Sequence, residues 1–212
     1  MAYPQLARLI EVMATLRQCC PWDAEQTHDS LVQYLIEETA EVIEAIESND
    51  LDHLREELGD LLLQVIFHAE IASERDDGFT IEDVAGGIAD KLIARHPYVF
   101  AADETPADLH FSWEQRKAAE KGRASVLEGI PEQLSALARA NKIISRARSR
   151  RVAVDLPAEE VEFADLGNSI LALVARGQVK GIDPDQALRR AIRELEGRVR
   201  DAEASRRSHA AG

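Results

Sequence analysis

Apolar residues recur at intervals of three and four along the first hundred residues, the period of amphipathic helices. Leu6, Leu9, Ile10, Met13 and Leu16 mark a first helix over Gln5–Gln18, and Cys20-Pro21-Trp22-Asp23 ends it in a turn. After Asp29 or Ser30 as cap, Leu31, Leu35, Val42, Ile43 and Ile46 define the inward side of a second helix, which stops near Ser48-Asn49-Asp50. A third helix, from about Leu51 to Glu74, presents Leu54, Leu58, Leu61, Leu62, Val65 and Ala69 as its inner stripe. Leu63, Phe67 and Ile71 give it a second stripe, so it needs more neighbours than one short segment supplies. Burial in a bundle or at a subunit interface is the consequence, and a homodimer is the simplest form of it. Thr80 and Asp83 open a fourth helix as a variant capping box with Asp for Glu, and Pro97 halts it. The fold class is all-α.

Acidic residues complicate this pattern. Glu38 and Glu41 share one helix face, as do Glu57 and Asp60, because residues three apart lie on the same side at 3.6 residues per turn. No lysine or arginine occurs between Gln18 and Leu54, and Arg55 is the only one from Asp23 to Asp60, against thirteen aspartates and glutamates. Either pair alone reads as a solvated acidic face. Together, at the margins of two apolar stripes, they would converge when the helices pack, and clustered unpaired carboxylates are costly near a core. A hard divalent cation such as Mg²⁺ or Mn²⁺ removes that cost through oxygen ligands and leaves coordination positions for phosphate.

Composition narrows the classes. The 212 residues carry a net charge of −14, with 30% charged and 45% hydrophobic residues, which describes a folded, helix-rich chain and disfavours nucleic acid or anionic membrane as main partner. Cys19 and Cys20 are adjacent and make no disulfide framework; they read as small buried side chains in a reducing compartment. Arg8, Glu11 and Arg17 break up any leader-like apolar run and no stretch reaches the length of a membrane span, so the expected location is the cytoplasm, with no membrane partner.

Lys91 and Arg95 lie four apart, two cations open to phosphate oxygens or to surface pairing, and Trp113 and Lys117 repeat the spacing with an aromatic first. A tryptophan there either stacks on a base or packs in a core. His68 shares a flank with Glu57 and Gln64 and reads as structural. Gly-rich phosphate loops, zinc spacings and serine-nucleophile motifs are absent. Arg139, Lys142, Arg146, Arg148, Arg150 and Arg151 make the basic run of a linker that pairs with acidic surface, and the tail from Ala204 to Gly212 is expected to fray.

Several motifs in order carry a resemblance: Cys20-Pro21-Trp22-Asp23-x-Glu25-Gln26-Thr27, Tyr34-Leu35-x-Glu37-Glu38-x-x-Glu41, Glu56-Glu57-Leu58-Gly59-Asp60-Leu61-Leu62-x-Gln64 and Asp90-Lys91-Leu92-x-x-Arg95-His96-Pro97. With Trp113-Glu114-x-x-Lys117 and Ala140-Asn141-Lys142-Ile143, they make most of the chain similar to the MazG family of nucleoside triphosphate pyrophosphohydrolases, in the all-α NTP pyrophosphatase superfamily. The resemblance implies a MazG-like helical bundle that dimerises, and hydrolysis of NTPs and dNTPs at the α-phosphorus to monophosphate and pyrophosphate. It places metal ligation and catalysis on Glu38, Glu41, Glu57 and Asp60, with Mg²⁺ as cofactor and Mn²⁺ as substitute. Triphosphate contacts fall on Lys91 and Arg95, base-side contacts on Trp113 and Lys117, and Glu37 and Glu56 both remain open as outer acceptor or base.

The chain departs from two-copy members of the family after residue 120. Phe163-Ala164-Asp165-Leu166-Gly167-Asn168 resembles a second acid motif, yet Ala164 and Asn168 stand where the first copy has Glu56 and Asp60, and only Asp165 keeps an acid, in place of Glu57. The helix that would bring a second Glu-Glu-x-x-Glu is missing between Arg151 and Val161. Residues 1–120 therefore form the expected pyrophosphohydrolase domain, and residues 121–212 a degenerate, shortened repeat with a basic linker. The alternative function is a non-catalytic nucleotide-binding or protein-interaction member of the same fold.

Overall fold

Why the first half folds as it does is visible in its caps. The computed structural model describes residues 3–101 and 104–210, and every regular element among them is an α-helix. Two compact units divide the chain, Met1–Ala94 and Arg95–Gly212.

In the first unit, α1 (Pro4–Cys19) starts with proline in its first turn, where a missing N–H costs nothing. Short α2 (Pro21–Glu25) follows, then α3 (Val32–Ser48), α4 (Leu51–Ser73) and α5 (Ile81–Arg95), whose last residue begins the second unit. Asn49 closes α3 in the left-handed conformation at φ 56°, and Asp50 caps α4 by accepting from the Asp52 and His53 amides. With only those two residues between them, α3 and α4 form a helical hairpin. The capping box at α5 forms as the sequence predicts: the Thr80 amide and hydroxyl donate to Asp83 Oδ2 at 2.8 and 2.7 Å, and the Asp83 amide donates to the Thr80 hydroxyl at 3.3 Å. Gly78 is required in the preceding turn, since a Cβ there would collide with the Ala72 carbonyl.

Met13, Leu31, Ile66, Phe67 and Ile71 form the core of this unit, with Leu9, Ile10, Tyr34, Leu63 and Ile81 packed against it. The inner stripe of α4 is therefore the one through Leu63, Phe67 and Ile71. Of the stripe assigned inward from the sequence only Ala69 is buried, while Leu58, Leu62 and Val65 remain 49%, 38% and 41% exposed. α4 is apolar on two sides and α1 covers one of them, so packing within one chain had to choose. The same division buries Leu31, at the N-cap of α3, and Val42 on it, and leaves Leu35, Ile43 and Ile46 exposed. Arg17 ties the unit together from the end of α1: its side chain is buried, it donates twice to Glu74 at 2.7 Å, and it also donates to the Asp23 and Gln26 carbonyls. Cys19 and Cys20 are both free thiols, and Cys19 is exposed rather than buried.

The second unit holds α6 (Pro97–Phe100), α7 (Leu109–Glu120), α8 (Ala136–Ser149), α9 (Phe163–Gln178) and α10 (Pro184–Ala210). Val126, Ile130, Ala136, Ile143, Ile192, Leu195 and Val199 make its core, chiefly α8 against α10. The basic run is the helix α8 and the turn after it, not a linker, because Ala136, Ile143 and Ala147 supply an inward face. Residues 152–162 contain no helix, and α9 leaves Phe163, Leu166, Leu171 and Leu173 exposed. The tail does not fray at Ala204: α10 continues to Ala210, and Ala211 and Gly212 lie outside the described residues.

Candidate active site

The α3–α4 hairpin fixes which carboxylates meet. Counted outward from the Asn49–Asp50 turn, Glu41 and Glu57 stand eight and seven residues away, and Glu38 and Asp60 eleven and ten. At a common rise per residue the members of each couple come level with one another. One ligand atom from each of Glu38, Glu41 and Glu57 lies within 4.8 Å of the others, with Glu57 buried and the other two half-buried. Asp60 is outside that triplet but close enough to act on it: the Glu38 carboxyl is pushed above its ordinary 4.5 by burial first, then by the charge of Asp60, Glu41 and Glu57. Glu41 is pushed up likewise, by burial and then by the charges of Glu57 and Glu37. Glu38 and Glu41 thus resist ionising beside their neighbours.

Among the described residues no lysine or arginine pairs with Glu38, Glu41 or Glu57. The one nitrogen base in place is His53, whose Nε2 lies 3.0 Å from Glu57 Oε1. Sequence reasoning passed over His53, although its spacing of four from Glu57 on α4 is the signal that reveals it. Gln64 shares the helix face of Glu57 and Asp60, and its Oε1 is buried without a hydrogen-bond partner. Three converging carboxylates and a buried orphan acceptor on the same face are an oxygen-donor set that suits a hard divalent cation. His68 is not part of it; its ring stacks on His28 with Nδ1 to Nδ1 at 2.8 Å, and burial holds its pKa below the ordinary value.

Lys91 belongs to the first unit and is exposed on α5. Arg95, Trp113 and Lys117 are brought together in the second. The Arg95 guanidinium lies 5.1 Å from the Trp113 ring centre and pairs with Glu120 at 2.6 Å, while Arg116 donates to the Arg95 carbonyl at 3.0 Å. The His96 ring leans on the other partner of this stack, 4.9 Å from Trp113. Lys117 has its pKa lowered mainly by burial, with the nearby charges of Lys142, Arg146 and Arg95 adding to it and Glu114 opposing. Trp113 is therefore held by cationic and imidazole neighbours rather than in an apolar core.

These features define an all-α protein organised on a helical hairpin of acidic residues. The sequence profile of the MazG nucleotide pyrophosphohydrolase domain matches residues 26–100. An uncharacterized 26.1 kDa protein of Streptomyces cacaoi is 45% identical over 203 residues, covering 94% of this chain and 83% of that protein. The nucleoside triphosphate pyrophosphohydrolase/pyrophosphatase MazG of Thermotoga maritima is 39% identical over 220 residues, covering 92% and 84%. The nucleoside triphosphate pyrophosphohydrolase of Mycobacterium tuberculosis is 39% identical over 201 residues, and there the match takes in 94% of this chain but 58% of the relative. The chain belongs to the MazG family of nucleotide pyrophosphohydrolases, and it is a hydrolase.

Proposed function

We propose that the chain is a Mg²⁺-dependent nucleoside triphosphate pyrophosphohydrolase, acting on NTPs and dNTPs at the α-phosphorus to give the monophosphate and pyrophosphate. The observation that carries this reading is the convergence of Glu38, Glu41 and Glu57 within 4.8 Å with no lysine or arginine pairing among the described residues. Glu38, Glu41, Glu57 and Asp60 would hold the ion, and Mn²⁺ would substitute because it accepts the same oxygen ligands. Bound there, the cation supplies charge for the phosphate oxygens and acidity to a water.

The remaining roles belong to the chain. Lys91, exposed and unpaired with any described acid, is available to the triphosphate. Arg95 is held by Glu120 through Nε and Nη2, and its remaining donors are offered to a phosphate. Trp113 offers a ring face for a base and Lys117 a half-buried ammonium beside it. His53, with Nε2 3.0 Å from Glu57 Oε1, helps to orient that carboxylate.

Catalysis is assigned to residues 1–120, since only there is the acid set complete; residues 121–212 are a degenerate repeat. The exposed stripes of α3 and α4 support a homodimer. No described helix is long and apolar enough to cross a membrane, and the cytoplasm is the proposed location. The test is a panel of NTPs and dNTPs with Mg²⁺ and product separation. Monophosphate plus pyrophosphate supports the reading; diphosphate plus orthophosphate overturns it.

A further inference from the structure

The second unit contains a cavity of about 1120 Å³ whose lining includes Arg123, Arg150, Arg151, Arg206 and Arg207. Five arginines in one concavity are out of keeping with a chain of net charge −14. None of them makes an ion pair with a described carboxylate. The one acid in the lining, Glu203, is occupied by the Val126 amide, which donates to its Oε1 at 2.8 Å. Arg206 donates to the Arg150 carbonyl at 3.2 Å and Arg150 to the Arg123 carbonyl at 3.5 Å. Those bonds fix the chains in position while using one donor of each fork, and a guanidinium has five. Arg151 adopts φ 50°, uncommon for a residue with a side chain, and its guanidinium lies 5.2 Å from the centre of the Phe111 ring. Neighbouring Arg146, buried behind them, has its pKa lowered by burial first and then by the charge of Arg123.

We infer that this cavity, lined by Arg123, Arg150, Arg151, Arg206, Arg207 and Phe111, is a binding site for a small polyphosphate anion, separate from the acidic hairpin of the first unit. Five like charges gathered around the single carboxylate of Glu203 leave an excess of positive charge, and a ligand with several adjacent anionic oxygens offsets it through paired N–H donors. The shape suits a small molecule: a single half-open concavity of this volume has room for a ligand of nucleotide size, whereas a nucleic acid strand tracks an extended basic stripe. The polyphosphate belongs either to a free inorganic chain or to a nucleoside polyphosphate, and Phe111 distinguishes them by offering a face to a base. The inference does not rest on the proposed hydrolysis, because binding is measured without metal.

The experiment is calorimetric titration of the full chain in EDTA with inorganic tripolyphosphate and, separately, with α,β-methylene-ATP. Saturable binding that weakens as salt rises is expected for at least one probe. The double variant R206Q/R207Q, at two exposed positions of α10, should weaken it about tenfold or more, and Arg190→Gln, an exposed arginine of the same helix outside the cavity, should leave it unchanged. Arg151→Gln serves as a second variant, with helix content checked by circular dichroism for both. A nucleotide analogue that binds more tightly than tripolyphosphate, and loses that margin in Phe111→Ala, identifies a nucleoside polyphosphate; equal affinities identify the free chain. Absence of binding by both probes, insensitivity to the cavity arginine changes, an equal loss on Arg190→Gln, or displacement of tripolyphosphate by a short RNA at lower concentration would each overturn the proposal.

Discussion

His53 Nε2 lies 3.0 Å from Glu57 Oε1, one turn away on the same helix, and Glu57 is the buried member of the acid triplet. An imidazole in that position is a partner that helps to hold the orientation of the carboxylate. Removing it should loosen the acid without removing its charge. His53→Ala is expected to lower metal affinity and turnover by about tenfold, the usual cost of losing the partner of a ligand, with the loss recovered at high Mg²⁺. A variant as active as the parent at limiting Mg²⁺ would show that the contact carries no positioning role.

The raised pKa values of Glu38 and Glu41 set a pH dependence for the metal-free protein. A carboxyl group raised above its unfolded value of 4.5 binds protons more tightly in the native state, so stability falls as pH rises from 4.5 through the raised values and levels off above them. A divalent cation replaces those protons. Mg²⁺ should therefore raise the melting temperature clearly at pH 8 and little at pH 5, where protons compete with it. Melting curves in EDTA and in Mg²⁺ across that range check the sign, and an equal shift at both ends would mean the ion binds elsewhere.

Much of this site was legible from spacing alone. A hairpin turning at Asn49–Asp50 brings Glu41 level with Glu57 and Glu38 level with Asp60 by simple counting, and the left-handed Asn49 and the Asp50 cap are readable residue types for that turn. The choice between the two apolar faces of α4 was not legible. Leu58-Leu62-Val65 and Leu63-Phe67-Ile71 are equally hydrophobic patterns, and only the position of Met13 and Leu31 decides between them. The same holds for Arg95: four-residue spacing from Lys91 revealed a shared face, but its pairing with Glu120 joins residues far apart in sequence, which no local period reports.

The exposed stripe of α4 gives the next expectation. Leu58, Leu62 and Val65 with Ile43 and Ile46 of α3 leave a single chain with two adjoining uncovered faces, and burying them between two copies is the simplest remedy. Light scattering should show a dimer at micromolar concentration. Leu62→Glu should shift it toward monomer, since a charge at an apolar contact is desolvated without a partner. A parent protein that is monomeric at that concentration would remove the dimer from the proposal.

Arg17 offers a test of stability independent of the site. Its buried guanidinium joins the ends of α1 and α4 to the turn after α2, and Arg17→Met would leave the Asp23 and Gln26 carbonyls and Glu74 without that donor. A loss of about 2–3 kcal/mol is expected from hydrogen bonds made by a charged group, measured by urea denaturation. Glu74 has its pKa lowered, chiefly by its bond to Arg17, so this contribution is present above pH 4.5 and is lost as pH falls through the depressed value. Parent and variant should accordingly converge in stability toward acid pH.

The last expectation separates the two acid motifs. Glu57 is buried on α4 among Glu38, Glu41 and His53, whereas Asp165, which stands in its place in the proposed degenerate repeat, is exposed on α9 with no second acid helix preceding it. Glu57→Gln keeps the shape and removes the charge. It should reduce turnover by more than the about 10–100-fold that a ligand's outer partner carries, and it should also relieve repulsion on Glu41, so its metal-free melting temperature should equal or exceed the parent's at pH 8. A gain in stability with a loss of activity is the signature of a functional carboxylate, and a solvated surface acid would change neither. Asp165→Asn should leave rate and stability within about 0.5 kcal/mol of the parent, as exposed substitutions do. Activity lost in Asp165→Asn and retained in Glu57→Gln would move the reaction to the second half of the chain.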